Sequence, residues 1–350
     1  MHMADALISP VVGGVMLAAT IGVAAYSIRK VRDELDNKKI PLMGVMGAFV
    51  FAAQMVNFSI PGTGSSGHLG GGLLLAILLG PYAGFLTMAS VLLIQAFFFG
   101  DGGLLAYGSN VFNLGFLTCF IAYPLIYKWF TRKGANAKRI FVATMTAGII
   151  GLQMGALAVV IETVASGKTE LPFLGFVAAM QPIHLAIGIV EGLVTAAMVT
   201  FIWRAKPEIL EKVSTGKPLG AVSIKKVIIA ILIAVVLVGG GLSWFASSNP
   251  DGLEWSMEKT AGTTEIESKD FLHQFFAEIQ KATAFLPGYD FNSDTNSDTT
   301  QNATTPVNIG TSVSGIVGGV ATLLLSAGIG LAVYLVRKRR RKKTNVEDTK

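Results

Sequence analysis

Charge and cysteine are both scarce in this chain. Only 14% of its 350 residues are charged while 52% are hydrophobic. A soluble domain of that size needs more charge than this on its surface, so most of the chain belongs in lipid. The single cysteine, Cys119, stands in an apolar stretch, which excludes both a disulfide framework and a thiolate metal cluster. Histidine is nearly as rare, with His2, His68, His184 and His273 the full set. A basic leader is missing too. Met1-His2-Met3-Ala4-Asp5 is neutral to acidic, so no cleaved signal is expected and Met1 is expected to remain.

Apolar runs are what the chain does have. Crossing a hydrocarbon core of roughly 30 Å takes about 20 residues, and runs of that kind fall near 8–28, 41–58, 82–99, 108–127, 140–161, 175–203, 227–246 and 314–336. A shorter stretch, 69–80, lies between a Gly-rich segment and Gly80-Pro81; the loop charges require it as a ninth, short or broken, span. With the N-terminus outside, the inner segments are 29–39, 128–139, 204–226 and 337–350. These hold 24 of the 28 Lys and Arg residues. That asymmetry is the positive-inside pattern, and it predicts a multi-pass cell-membrane protein with its N-terminus out and C-terminus in. The pI near 9.3 is therefore a topology signal, and no nucleic-acid partner is expected.

The fold class predicted is an all-α polytopic membrane protein: about seven helices in residues 1–203, then two more. Residues 204–226, polar and with two prolines, read as an inner linker. Residues 227–350 form two spans around an outer loop, 247–313. That loop opens on Asn249 and Pro250-Asp251-Gly252-Leu253-Glu254-Trp255. It continues through a helical face of Phe271, Leu272, Phe275, Phe276 and Ile279, and ends in a low-complexity stretch, 292–306, expected to be disordered. The Phe face suits either the bilayer surface or the first block.

An N-terminal Met-His pair offers three nitrogens at chelating spacing: the Met1 amine, the His2 backbone nitrogen and the His2 imidazole Nδ1. Displacing an amide proton takes a metal that favours planar nitrogen ligands, Ni(II) or Cu(II), with Co(II) next. One in-plane position remains, and an imidazole from elsewhere would fill it. His68, in a glycine-rich loop on the same predicted side as His2, is the candidate. The competing reading makes His2 an ordinary second residue and His68 a loop histidine at a helix start.

Four segments carry a resemblance: Met1-His2-Met3, GTGSSGHLGGG (62–72), QAFFFGDGGLLAYGSNVFNLG (95–115) and HLAIGIVEGLVTAA (184–197). The first block resembles the substrate-binding component of energy-coupling-factor transporters for nickel and cobalt. The Pro250–Trp255 motif resembles the small accessory subunit of the nickel-type systems, here in the same chain. The resemblance implies Met1, His2 and His68 as ligands of a transported Ni(II), or of Co(II), and no resident cofactor. It further implies separate ATP-binding subunits and a transmembrane coupling subunit as partners.

Gln95, Asn110 and Asn113 are polar groups in or beside apolar spans and are candidates for orienting a ligand histidine; pairing with helix backbone is the plainer role. His184 and Glu191 share one face of the seventh span. Either they pair or they make separate packing contacts; His184 is expected to lie too deep for the planar site. Glu191 reads as the sole acidic residue deep in a span. Gly14, Ala18 and Gly22, and again Gly44, Ala48 and Ala52, form small-residue stripes suited to close helix approach. One of them, by the resemblance, would dock the coupling subunit.

Two other function classes compete. Gly64-Ser65-Ser66-Gly67 with His184 would suit an intramembrane serine protease, in which Ser66 is essential and His2 dispensable. A secondary metal transporter would carry several ionisable groups within its spans. Gly167-Lys168-Thr169 resembles the end of a P-loop, but Glu162 stands where the first glycine belongs. The chain itself is thus expected to be no enzyme and no ATPase.

Overall fold

The computed structural model describes residues 2–34, 36–167, 171–263, 270–291 and 308–347. Lys168 and Thr169 of the P-loop-like sequence, and the low-complexity stretch 292–306, lie outside them. Apart from one small hairpin, the regular structure of these residues is helical.

Among the described residues, six helices are long and apolar enough to cross a membrane: α1 (Pro10–Glu34), α4 (Pro81–Phe99), α5 (Tyr107–Thr131), α6 (Ala137–Ser166), α7 (Phe173–Ala205) and α12 (Ile309–Glu347). Two 16-residue apolar helices, α2 (Lys39–Gln54) and α9 (Lys225–Gly240), accompany them. The stretch 69–80, expected as a ninth span, contains α3 (Gly72–Leu79), eight residues, all buried. A helix this short leaves unsatisfied backbone at membrane depth, which is tolerated only inside protein, and α3 sits in the middle of the bundle. Gly80, at φ +85°, breaks the chain between α3 and Pro81.

Local sequence explains the ends. Pro81 occupies the first turn of α4, Asn136 caps α6 by accepting from the Arg139 amide, and Gly167 closes that helix in a left-handed turn. The stretch Phe112–Tyr127 within α5 is wound as a π-helix and contains Pro124.

Small residues draw the helices together. A side chain on Gly192 would meet Met145 at 2.7 Å and one on Gly44 would meet the Leu323 carbonyl at 2.9 Å. The Gly44–Ala48–Ala52 stripe therefore packs internally, against α12. A methyl on Gly14 or Gly22 would meet nothing within 4 Å, so their stripe faces outward along α1.

One expectation changes. Glu191 is not alone, because α6 runs on past 161 and carries Glu162, 7% exposed and bonded to Asn113 (3.0 Å). The stretch 204–226, expected as an inner linker, lies within the described residues. It contains α8 (Pro207–Ser214), which buries Ile209, Leu210 and Val213, and Leu219 after it is also buried. Its polar residues face out and its apolar ones inward, an arrangement that composition alone does not reveal.

Candidate metal centre

The site stands at the end of the bundle where the chain begins. The hairpin of β1 (Phe58–Ile60) and β2 (Ser65–Gly67) runs into His68. Gly70 and Gly71 then donate their amides to the Glu191 carboxylate at 2.7 and 3.0 Å, and the Gly70 carbonyl accepts from Gln54 Nε2 at 2.8 Å. Glu191 is thus an anchor for the His68 loop. It makes no pair with His184, whose Nδ1 instead bonds the Met180 carbonyl at 2.8 Å.

The N-terminal segment is held from several sides. Asn110 accepts from the Met3 amide (2.7 Å) and donates to the Met3 carbonyl (3.1 Å), which also accepts from the Gly103 amide (2.8 Å). Asp5 accepts from the Ala106 amide. His2 is thereby brought beside His68: the two rings stack with centroids 4.9 Å apart and planes 4° from parallel. Met1 lies outside the described residues.

The polar candidates act at one remove. Asn110 fixes the residue after His2, Gln95 donates to Gln54 Oε1 (2.9 Å), which in turn holds the His68 loop, and Asn113 bonds Glu162. Sequence reasoning passed over Asp101. One of its carboxylate oxygens lies 3.0 Å from His2 Nδ1 and the other accepts from the Tyr289 hydroxyl. Burial would raise the Asp101 pKa, but the His2 ring and the Tyr289 hydroxyl hold it well below the usual carboxylate range. Burial, with His2 nearby, pushes His68 down to about 3, so its imidazole is neutral and carries a lone pair at neutral pH. The His68 Nδ1 meets the Leu69 carbonyl at 3.1 Å. A carbonyl only accepts, so the proton is on Nδ1 and the lone pair on Nε2.

The described residues of 247–291 pack against this centre. The Ser66 amide donates to the Pro250 carbonyl and the Ser66 hydroxyl to the Asn249 carbonyl, both at 2.8 Å. That hydroxyl is engaged in docking, not paired with His184. Asp251 and Glu254 form a capping box at the start of α10 (Gly252–Ala261), Leu253 is buried, and Trp255 Nε1 donates to the Thr63 carbonyl (2.9 Å). Each residue of the Pro250–Trp255 motif therefore either shapes the turn or docks it. Helix α11 (Phe271–Thr283) adds two clamps. His273 Nε2 reaches the carbonyls of Asp5 (3.0 Å) and Ile8 (2.9 Å), and Gln280 reaches those of Ala96 and Gly102. Phe271 and Phe275 of the aromatic face remain exposed.

A cavity of about 310 Å³ is enclosed between the two parts, lined by His2, His68 and Asp101 from one and Asp251, Glu254 and Tyr289 from the other. A larger one, about 510 Å³, opens at the far end beside Tyr127, Trp203 and Leu210, away from the histidines. Among the described residues no three His, Cys, Asp or Glu side chains gather at metal-binding spacing.

The family model of the cobalt uptake substrate-specific transmembrane region, CbiM, matches residues 2–209. The chain belongs to the CbiM family. A PDGLE domain matches residues 225–335. Among CbiM relatives, a protein of Archaeoglobus fulgidus named as a putative fused nickel transport protein NikMN is 32% identical over 341 residues, covering 95% of this chain and 99% of its own length. The fused nickel transport protein NikMN of Rhodobacter capsulatus is 36% identical over 60% of this chain and 64% of its own. The cobalt transport protein CbiM of Geobacter sulfurreducens is 31% identical over 77% and 80%. A crystal structure of a transition metal transporter superposes with TM-score 0.52 at 34% identity, covering 59% of this chain and 93% of that one.

Proposed function

We propose that this chain captures divalent nickel, or cobalt, as the high-affinity substrate-binding membrane subunit of an ATP-driven energy-coupling-factor transporter. Residues 1–203 hold the site, 204–226 join, and 227–350 form the accessory part. The observation that carries the reading is the pairing of His2 with His68 at the end of an N-terminal segment pinned through Met3. The ligands are the Met1 amine, the His2 backbone nitrogen and Nδ1, and His68 Nε2. A set of four nitrogens suits Ni(II) ahead of Co(II). In the present arrangement His2 Nδ1 is engaged by Asp101, so loading exchanges that carboxylate for the ion.

The site faces outward with the N-terminus, and the C-terminus is inside. The chain is no enzyme: separate ATP-binding subunits supply the energy, and a transmembrane coupling subunit docks on the outward stripe of α1. The 247–313 segment assists loading, because the ion must pass the Asp251–Glu254–Tyr289 wall to reach His2. Deleting 250–310 is expected to abolish uptake. A secondary-transporter reading gains nothing from the acidic groups in the spans, since Glu191 and Glu162 hold fixed protein partners.

The experiment is nickel binding by the purified chain against one extended by a single residue ahead of Met1. Every side chain stays, but the free amine leaves its chelate ring. Collapse of the tight equivalent is expected. Unchanged binding would remove the amine from the ligand set and refute the proposal.

A further inference from the structure

His68 also lines a second, smaller void of about 10 Å³, large enough for one ion or one water. His184 of α7 borders it too, and Gly70, Leu114, Leu152 and Gly252 complete most of the wall. His184 is the twelfth residue of α7, about 16 Å along from its start, and is 0% exposed. Its Nδ1 bonds the Met180 carbonyl at 2.8 Å. Since a carbonyl cannot donate, Nδ1 carries the proton and Nε2 the lone pair. That Nε2 is fully buried and has no hydrogen-bond partner.

An unsatisfied lone pair in a membrane-embedded core costs free energy. A residue kept there for packing alone would do better as leucine or phenylalanine. The cost is explained if Nε2 meets a cation for part of its working cycle. Both imidazoles at the void have the same tautomer, with Nδ1–H donating to a main-chain carbonyl, which is the arrangement that orients a metal-binding histidine. Gly252 of the accessory segment lies over the void; a methyl on it would come within 3.1 Å of His184 Cε1.

We propose that His68 and His184 form an inner position for the transported divalent ion, distinct from the capture site. The ion enters it when His68 turns from the outer ligand set toward α7. The inner position rests on the capture reading for the identity of its cargo. Its ligands are two neutral imidazoles in an otherwise apolar void, so it is weaker than the outer site and suited to release. His68 is shared, so the two positions fill in succession.

The test isolates the inner position by disabling the outer one. The full chain is extended by one residue ahead of Met1 and carries His2→Gln, and is titrated with Ni(II) and with Cu(II) as a spectroscopic probe. One residual, weaker equivalent is expected. Adding His184→Gln should weaken it by about tenfold or more, as should His68→Gln. Pulsed EPR of the Cu(II)-loaded protein, with His184 intact, should show two coordinated imidazoles, so the result does not depend on a core variant folding. No residual equivalent, or one with fewer than two imidazoles, or one insensitive to His184→Gln, would overturn the inner position. The capture reading stands or falls separately, on the chain with native His2. If extension leaves its tight binding intact, the outer site is wrong whatever His184 does.

Discussion

Asn110→Ala should weaken nickel capture although Asn110 touches no proposed ligand. Its side chain makes two buried hydrogen bonds to Met3, one to each main-chain group. The Met3 carbonyl keeps a second donor in the Gly103 amide, whereas no replacement is shown for the acceptor of the Met3 amide. Stranding one buried donor costs about 1–3 kcal/mol. The N-terminal segment recovers that by leaving its groove, and it takes His2 with it. A central figure of about 2 kcal/mol corresponds to a dissociation constant raised about 30-fold, at ~1.4 kcal/mol per decade. The assay is competition of the purified variant against a chelator of known nickel affinity, with a thermal melt to show that the bundle is intact. The result that refutes this reasoning is an affinity within about threefold of the native chain, under ~0.7 kcal/mol. Pinning of Met3 would then not be what presents His2.

Other outcomes follow from the same contacts. Glu191→Ala strands the Gly70 and Gly71 amides two and three residues after His68, and should lower nickel affinity by about 10-fold or more, read in the same competition. Gly252→Ala places a methyl 2.8 Å from Ile183. It should loosen the accessory segment by about 1–3 kcal/mol, seen as faster proteolysis within 247–313 while the remaining spans stay protected. Trp255→Phe removes the bond to Thr63 and should have a similar but smaller effect, about 1 kcal/mol. His273→Ala releases the Asp5 and Ile8 carbonyls, and should speed hydrogen exchange in residues 3–8 and slow uptake more than it lowers equilibrium affinity.

Much of the bundle was legible because lipid imposes a simple rule: a crossing needs a long apolar run, and the basic residues mark its inner ends. The stretch 69–80 was singled out by the loop charges, and a short buried helix, α3, lies there. His2 and His68 were legible as chelating chemistry joined to a glycine-rich loop. What stayed hidden is long-range. Asp101 sits among glycines in a loop, and its role appears only when Tyr289, 188 residues later, closes over it. The same holds for Ser66 with Asn249 and for His273 with Asp5. Asn110 stood out for the right reason, a polar group that needs a partner in an apolar span, but the partner is Met3 backbone. The two small-residue stripes look alike in sequence, and only the placement of α12 shows that one is filled and the other open.

The ordered connection through α8 has a further consequence. Lys38 Nζ bonds the Val222 carbonyl, and Asp36 receives the Gly220 amide, so the covering half is fastened firmly to the body at the end opposite His2 and His68. A lid supplied by a separate chain would have to find its seat from dilute solution and hold it by affinity alone. Tethered, it meets the seat at an effective concentration in the millimolar range. A seam of a handful of hydrogen bonds is then enough to keep the cover closed, and, if the proposed function holds, weak enough to part when an ion has to pass.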